Sequence, residues 1–173
     1  PEGSRVLELG CASGWMLNQL RPSVGVGVDF SDKLIDIAQS KYPDLTFVCG
    51  DIEDAKLINR INEHGPFDYI VLSDTIGYLD DIIETFKLTN GLCHPDTRLV
   101  VSHYSHLWEP ILRLAEKLGF RKPVNRDYSW LSQRDIEMFL SLAGYETVKK
   151  EYRQLLPRRL LGLGSIVNRL IAP

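Results

Sequence analysis

Cysteine is scarce in this chain, and the three it has, Cys11, Cys49 and Cys93, stand far apart and are odd in number. Such a set supports neither a disulfide framework nor a Cys/His zinc site, and it suits a reducing, cytoplasmic setting. Long apolar runs are missing too. No stretch reaches the roughly 18 residues that a membrane-crossing helix needs, and no basic segment followed by an apolar one marks a secretory leader. Charge of one sign is also lacking, since 20 Lys and Arg against 23 Asp and Glu leave a net charge of −3. That balance gives no basic field for a nucleic-acid backbone and too little acid to mimic one, so nucleic acid is not an expected partner. Repeats and low-complexity tracts are absent. So is an initiating Met: Pro1 stands directly before a strand pattern, which reads as a domain excised from a longer multidomain chain, truncated at both ends and with any leader lost.

What remains is a chain of 173 residues, 44% of them hydrophobic, enough for one compact core. Strand-like apolar runs alternate with helix-like periodic ones. Val6 to Leu9 reads as a first strand, Trp15 to Leu20 as a helix and Val24 to Asp29 as a second strand. A helix over Asp32 to Lys41 enters through Ser31, with Leu34, Ile35 and Ala38 on one face. Leu45 to Val48 is a third strand, and "GDIEDAKLINRINEHG" a helix or turn region stopping at Gly65. Phe67 to Leu72 and Arg98 to Ser102 are the fourth and fifth strands. Continuous apolar strands such as "YIVL" and "RLVV" are what a parallel sheet covered on both faces requires. The fold class is therefore α/β, a doubly wound, mostly parallel sheet with helices on both faces. Beyond the fifth strand, "SHLWEPILRLAEKLGF" reads as an inserted helix with Leu107, Ile111, Leu114 and Leu118 on one side. A further helix has Ser132 as N-cap and Gly144 as its stop, before a sixth strand from Glu146 to about Tyr152.

The stretch "RVLELGCASGW" ends a strand in a turn of small residues. A parallel strand delivers its carboxyl end to the crevice side of the sheet, and a small-residue turn lets a nucleotide-like ligand approach closely. A dinucleotide site would place glycines where Gly10, Ala12 and Trp15 stand, and Trp15 argues against close packing on a pyrophosphate. With Glu8, Gly10 and Gly14 read as E-x-G-x-x-x-G, the stretch resembles the class I S-adenosylmethionine-dependent methyltransferases, whose usual form is E/D-x-G-x-G-x-G. Ala12 replaces the middle glycine, which requires a negative φ there.

The resemblance covers nearly the whole chain to Tyr152. It implies a Rossmann-like fold over a single domain, 1–173, with S-adenosylmethionine as cofactor and S-adenosylhomocysteine as product. Glu8, Gly10, Cys11, Ala12 and Gly14 would surround the methionine part. Asp29, about 20 residues past the turn, occupies the place of an acid that binds ribose hydroxyls, or else caps a helix. Phe30 would lie against adenine. In "CGDIED", Asp51 would accept from the exocyclic amine and Ile52 meet the ring edge, although Asp51 alone reads equally as a turn residue. The backbone at Ser73 and Asp74 would meet the methionine ammonium. The family's helix before the first strand and its seventh, antiparallel strand are missing, as truncation would explain.

The implied reaction is in-line methyl transfer, and a base would be needed for an alcohol or ammonium acceptor. His103 is the first candidate, since an imidazole accepts a proton near neutral pH; a loop histidine bonded to backbone is the alternative. Tyr104 would orient substrate or cover the site. His94 reads as a turn residue, and Asp80 and Asp81 as helix-start carboxylates rather than metal ligands, so no metal is expected. The insertion at about 105–130 is the natural lid and substrate element, in which Arg121, Lys122 and Arg126 read as solvated charge ahead of a site for an anionic group, and Trp108 and Trp130 equally as acceptor-pocket or packing residues. The tail at about 153–173, with Arg158, Arg159 and Arg169 among aliphatic residues, suits a terminal helix over the sheet edge better than a membrane contact. The expected function is methyl transfer to O or N of a small-molecule or glycan-related acceptor. The segment "WLSQRDIEMFLSLAGYE" resembles bacterial methyltransferase domains joined to enzymes such as glycosyltransferases. Two alternatives stay open: a non-catalytic S-adenosylmethionine-binding module, and an NAD or nucleotide-sugar enzyme on a similar fold.

Overall fold

A computed structural model describes residues 2–103, 114, 116–119 and 129–151. Its elements are β1 (Arg5–Leu9), α1 (Trp15–Gln19), β2 (Val24–Asp29), α2 (Asp32–Lys41), β3 (Thr46–Cys49), α3 (Ala55–Ile61), β4 (Phe67–Ser73), α4 (Ile82–Thr89), β5 (Cys93–Ser102) and α5 (Gln133–Leu142). Among the described residues the strands form one sheet in the order β3-β2-β1-β4-β5, and every neighbouring pair is parallel. The chain moves outward from β1 to β3 and then returns to the other side of β1. That reversal opens a crevice outside the carboxyl ends of β1 and β4.

Alternation along the strands divides the core in two. Leu7, Leu9, Val26, Val28, Ile70 and Leu72 face α3, α4 and α5, with Phe67 and Phe86 fully buried among them. Val6 and Val71 point the other way, against Leu17 of α1 and Ile35 and Ala38 of α2. Helix entries follow the cap residues. Oγ of Ser31 accepts from Leu34 N at 3.4 Å, Asp54 caps α3 and Asp81 caps α4. Ser132 and Asp135 form a reciprocal capping box on α5, and Gly144, at φ 90°, follows its end.

The bounds of β1 (from Arg5, not Val6), α1 (to Gln19, not Leu20) and β4 (to Ser73, not Leu72) shift by one residue from the sequence reading, and three further segments depart from it. The third strand starts at Thr46 rather than Leu45, because Leu45 N is spent on Tyr42 O at 3.1 Å and Thr46 is the first residue in register with Val26. The fifth strand begins at Cys93 rather than Arg98, since Cys93 already pairs with Phe67 before an irregularity that resumes with Tyr69 opposite Arg98. His94, read as a turn residue, lies instead within β5, where its Nδ1 accepts from Asp96 N (3.2 Å) and its Nε2 donates to Asp68 Oδ1 (3.1 Å). The sixth strand is absent from its described part, Glu146–Glu151. Tyr145 is tied back to α4 through its hydroxyl, 2.7 Å from Thr89 Oγ1, and the following residues carry charge with Val148 69% exposed. They present no apolar face that pairing would bury. Among the described residues, no helix is long and apolar enough to cross a membrane.

Candidate functional site

β1 runs into a turn that is fixed by backbone bonds, with the amides of Gly10 and Cys11 both donating to Val28 O, at 2.8 and 2.9 Å. Gly10 has φ 82°, and a Cβ there would stand 2.2 Å from Oγ1 of Thr75. The Thr75 hydroxyl donates to Leu9 O and Ser73 O, each at 3.1 Å, so the loop after β4 is pressed against the turn after β1. Gly14, at φ 73°, begins α1, where a Cβ would meet the Phe47 ring at 2.6 Å. The first glycine admits the β4 loop and the second admits β3.

Ala12 overturns one expectation. Its φ is +46°, not negative. This conformation costs an alanine about 1–2 kcal/mol, and it is held by Oδ2 of Asp29, which accepts the Ala12 N–H at 2.8 Å. Oδ1 of Asp29 accepts Ser31 N at 3.0 Å. The acid at the end of β2 thus organises two turns at once. A carboxylate can accept about four hydrogen bonds, so that duty leaves capacity for a ligand.

Glu8 and Cys11 are buried and are not among the described lining residues of the crevice. Cys11 is buried among Val6, Leu17 and Phe47, and burial pushes its thiol pKa up. The Glu8 carboxyl is 3% exposed, and its Oε2 has no hydrogen-bond partner. Desolvation raises its pKa from 4.5 to about 7, opposed by a bond from the Leu17 backbone and reinforced by the Asp29 charge.

The crevice itself is a cleft of about 200 Å³. Of the residues singled out in the sequence, it gathers Gly10, Asp29, Phe30, Asp51, Ile52, Ser73 and Asp74 from four strand ends. Glu8, Cys11, Ala12 and Gly14 support it without lining it. Thr75, Tyr78, Leu79, Gly50 and Glu53 also line it and were not anticipated. Asp51 does play the turn role, taking Glu53 N at 3.0 Å on Oδ1. Phe30 is 76% exposed, a ring free of the core at the cleft mouth. Among the described lining residues are four carboxylates, Asp29, Asp51, Glu53 and Asp74, and no Lys or Arg. A pyrophosphate would meet like charge at every turn. A ligand with ribose hydroxyls, a flat base and positive charge suits the same wall, and S-adenosylmethionine has all three. A larger depression of about 520 Å³ beside Gln133, Arg134, Glu137 and Lys150 is wide open and draws on no strand end.

At the β5 side the strand ends stay joined past the last ladder pair. Ser73 Oγ lies 3.1 Å from Ser102 Oγ, and Asp74 N donates to Ser102 O at 3.0 Å. His103 follows directly. Burial raises the pKa of Asp74, and the nearby His103 charge lowers it. Asp74 also has a positive φ, 54°. Tyr104 lies outside the described residues, as do Trp108, Arg121, Lys122, Arg126 and the tail from 152 onward. Ser129 N donates to Gly77 O at 2.9 Å, in the short helical turn Ile76–Tyr78, of which Tyr78 lines the cleft.

Known proteins share this arrangement. The family profile described as "Methyltransferase domain" matches residues 1–150. The demethylmenaquinone methyltransferase of Staphylococcus saprophyticus is 23% identical over 170 residues, covering 85% of this chain and 72% of that one. The malonyl-(acyl-carrier protein) O-methyltransferase of Halalkalibacterium halodurans is 26% identical over 110 residues, covering 60% of this chain but only 40% of its own length. A methyltransferase solved in complex with the Haloferax volcanii Trm112 methyltransferase activator superimposes with a TM-score of 0.67 at 20% identity, covering 89% of this chain and 67% of the other. The family match runs across every strand that builds the acidic cleft, and the chain accordingly belongs to the methyltransferase-domain family, as a class I S-adenosylmethionine-dependent methyltransferase.

Proposed function

We propose that the chain transfers the methyl group to an oxygen or nitrogen atom of a small-molecule or glycan-related acceptor, with His103 taking the acceptor's proton. The observation that supports this reading is the charge interaction between Asp74, which lines the cleft, and His103, the residue directly after β5. Methylation of a neutral O–H or N–H releases a proton, and an imidazole backed by a carboxylate is suited to receive it. Asp74 stabilises the imidazolium that forms.

When bound, S-adenosylmethionine supplies an electrophilic sulfonium methyl group. The chain's own contribution is to align and desolvate two reactants, an effect that reaches about 7–11 kcal/mol in favourable systems. Gly10 keeps the floor of the cleft open to the methionine part, Asp29 offers its remaining acceptor capacity to the ribose hydroxyls, and Asp51 with Ile52 meets the base. The backbone at Ser73 and Asp74 receives the ammonium. The segment at about 105–130 forms the acceptor's side of the site, a reading supported by the Ser129–Gly77 bond. The relatives named above carry names for action on demethylmenaquinone and on a malonyl group held by a carrier protein, while a further relative, 29% identical over 75% of this chain, carries the name of a ribosomal RNA methyltransferase, so the acceptor panel includes an RNA.

The test is a panel of phenols, amines, carboxylic acids, sugars and an RNA, with S-adenosylhomocysteine formation as the readout. His103→Gln should lower kcat about 100-fold and leave cofactor affinity unchanged. Full turnover by that variant at every pH would remove His103 from the reaction.

A further inference from the structure

We infer that Glu53 is a positioning residue for the cofactor: it straps the loop after β3 to the segment entering α4 and thereby sets the width of the slot between Ile52 and Leu79. Its Oε1 accepts the backbone N–H of Asp80 at 3.0 Å and of Asp81 at 2.7 Å, and its Oε2 lies 3.1 Å from Asp80 N. Asp81 is the N-cap of α4, with Oδ1 committed to Glu84 N at 2.9 Å. The amides of Asp80 and Asp81 precede the helix and have no rung of their own in it, so an acceptor must come from elsewhere. It comes from the opposite wall of the cleft.

The strap continues on its other side. Glu53 N donates to Asp51 Oδ1 at 3.0 Å, so Asp51, Glu53, Asp80 and Asp81 form one hydrogen-bonded band across the cleft. Ile52 and Leu79 each sit one residue inside that band, 7% and 8% exposed, in the same core cluster, and both line the cleft. Charge-assisted bonds from a carboxylate to backbone amides are stronger than neutral ones. Removing the carboxylate releases two loops that share a core contact and a wall of the cleft.

The experiment uses the full chain with Glu53→Ala and Glu53→Gln, titrated calorimetrically with S-adenosylhomocysteine and with adenosine alone. The Ala variant should weaken both ligands about tenfold, and the Gln variant, which retains one acceptor oxygen, by about threefold. Amide exchange at Asp80 and Asp81 should slow on ligand binding in the wild type and accelerate in both variants. The kcat at saturating cofactor should stay within about twofold while the cofactor KM rises in step with Kd. A purely structural cross-link would lower the melting temperature and leave both dissociation constants unchanged, which would overturn the inference. Should the Ala variant fail to fold, unchanged adenosine affinity in the Gln variant with unprotected Asp80 and Asp81 amides would do the same.

Discussion

Oδ2 of Asp29 accepts the backbone N–H of Ala12 at 2.8 Å, so the carboxylate that ends β2 holds the turn that follows β1. Its other oxygen holds Ser31, the entry to α2. Asp29→Ala should therefore cost stability as well as binding, about 1–3 kcal/mol for the stranded amides, together with loss of measurable S-adenosylhomocysteine affinity. Asp29→Asn retains one acceptor oxygen and should fall between wild type and Ala in both urea unfolding and calorimetric titration. An Asn variant with wild-type affinity would show that the cleft does not use the Asp29 charge.

The left-handed backbone at Ala12 gives a second expectation. Glycine removes the Cβ strain of about 1–2 kcal/mol but adds about 0.4–1 kcal/mol of unfolded-state entropy. Ala12→Gly should stabilise the protein by about 0.5 kcal/mol, the balance of those two terms. Ala12→Val should destabilise it by more than about 1 kcal/mol, because a β-branched residue is least at home there. Urea midpoints at constant m-value decide the matter. A destabilised Gly variant would mean that the turn is not held in this conformation in solution.

Gly10 and Thr75 should behave as a coupled pair. A Cβ at Gly10 would stand 2.2 Å from Thr75 Oγ1 and 2.8 Å from its Cγ2. Gly10→Ala should cost more than about 2 kcal/mol, with cofactor affinity lost as the loop after β4 is pushed aside. Thr75→Ala in the same chain removes both offending atoms and should recover part of each loss. Independent, additive effects in the double-mutant cycle would contradict the contact.

Much of this was legible in the sequence because the determinants are local. Strand ends at Leu9 and Asp29, the caps at Ser31 and Ser132 and the stop at Gly144 follow from apolar runs and from side chains that bond within three residues. The φ of Ala12 was not legible, because the partner that holds it is 17 residues away. Glu53 escaped for the same reason, its amide donors lying 27 and 28 residues on. The need for glycine at position 14 has a source that the local sequence does not show, the ring of Phe47 on β3. The segment Glu146–Glu151 was read as a strand from its position in the pattern, yet its charged composition lacked the alternation that would have driven pairing.

Glu8 supplies a pH dependence whose sign follows from burial. Its carboxyl titrates at about 7 in the folded chain against an ordinary 4.5, because desolvation disfavours the anion. Below pH 4.5 both folded and unfolded chains hold the proton, and the group contributes no penalty. Between pH 4.5 and about 7 the unfolded chain loses the proton while the folded chain keeps it, so stability falls as pH rises. Above about 7 both are ionised and the penalty is complete, about 3 kcal/mol at 1.36 kcal/mol per unit. Glu8→Gln is neutral throughout and retains an oxygen for the Leu17 backbone bond. The stability difference between Gln and Glu chains should therefore grow in favour of Gln from pH 5 to pH 7.5 and then level. Urea unfolding at half-unit pH intervals measures it directly. A difference that stays flat, or moves toward Glu, would mean that the buried carboxyl is ionised and partnered in the folded chain.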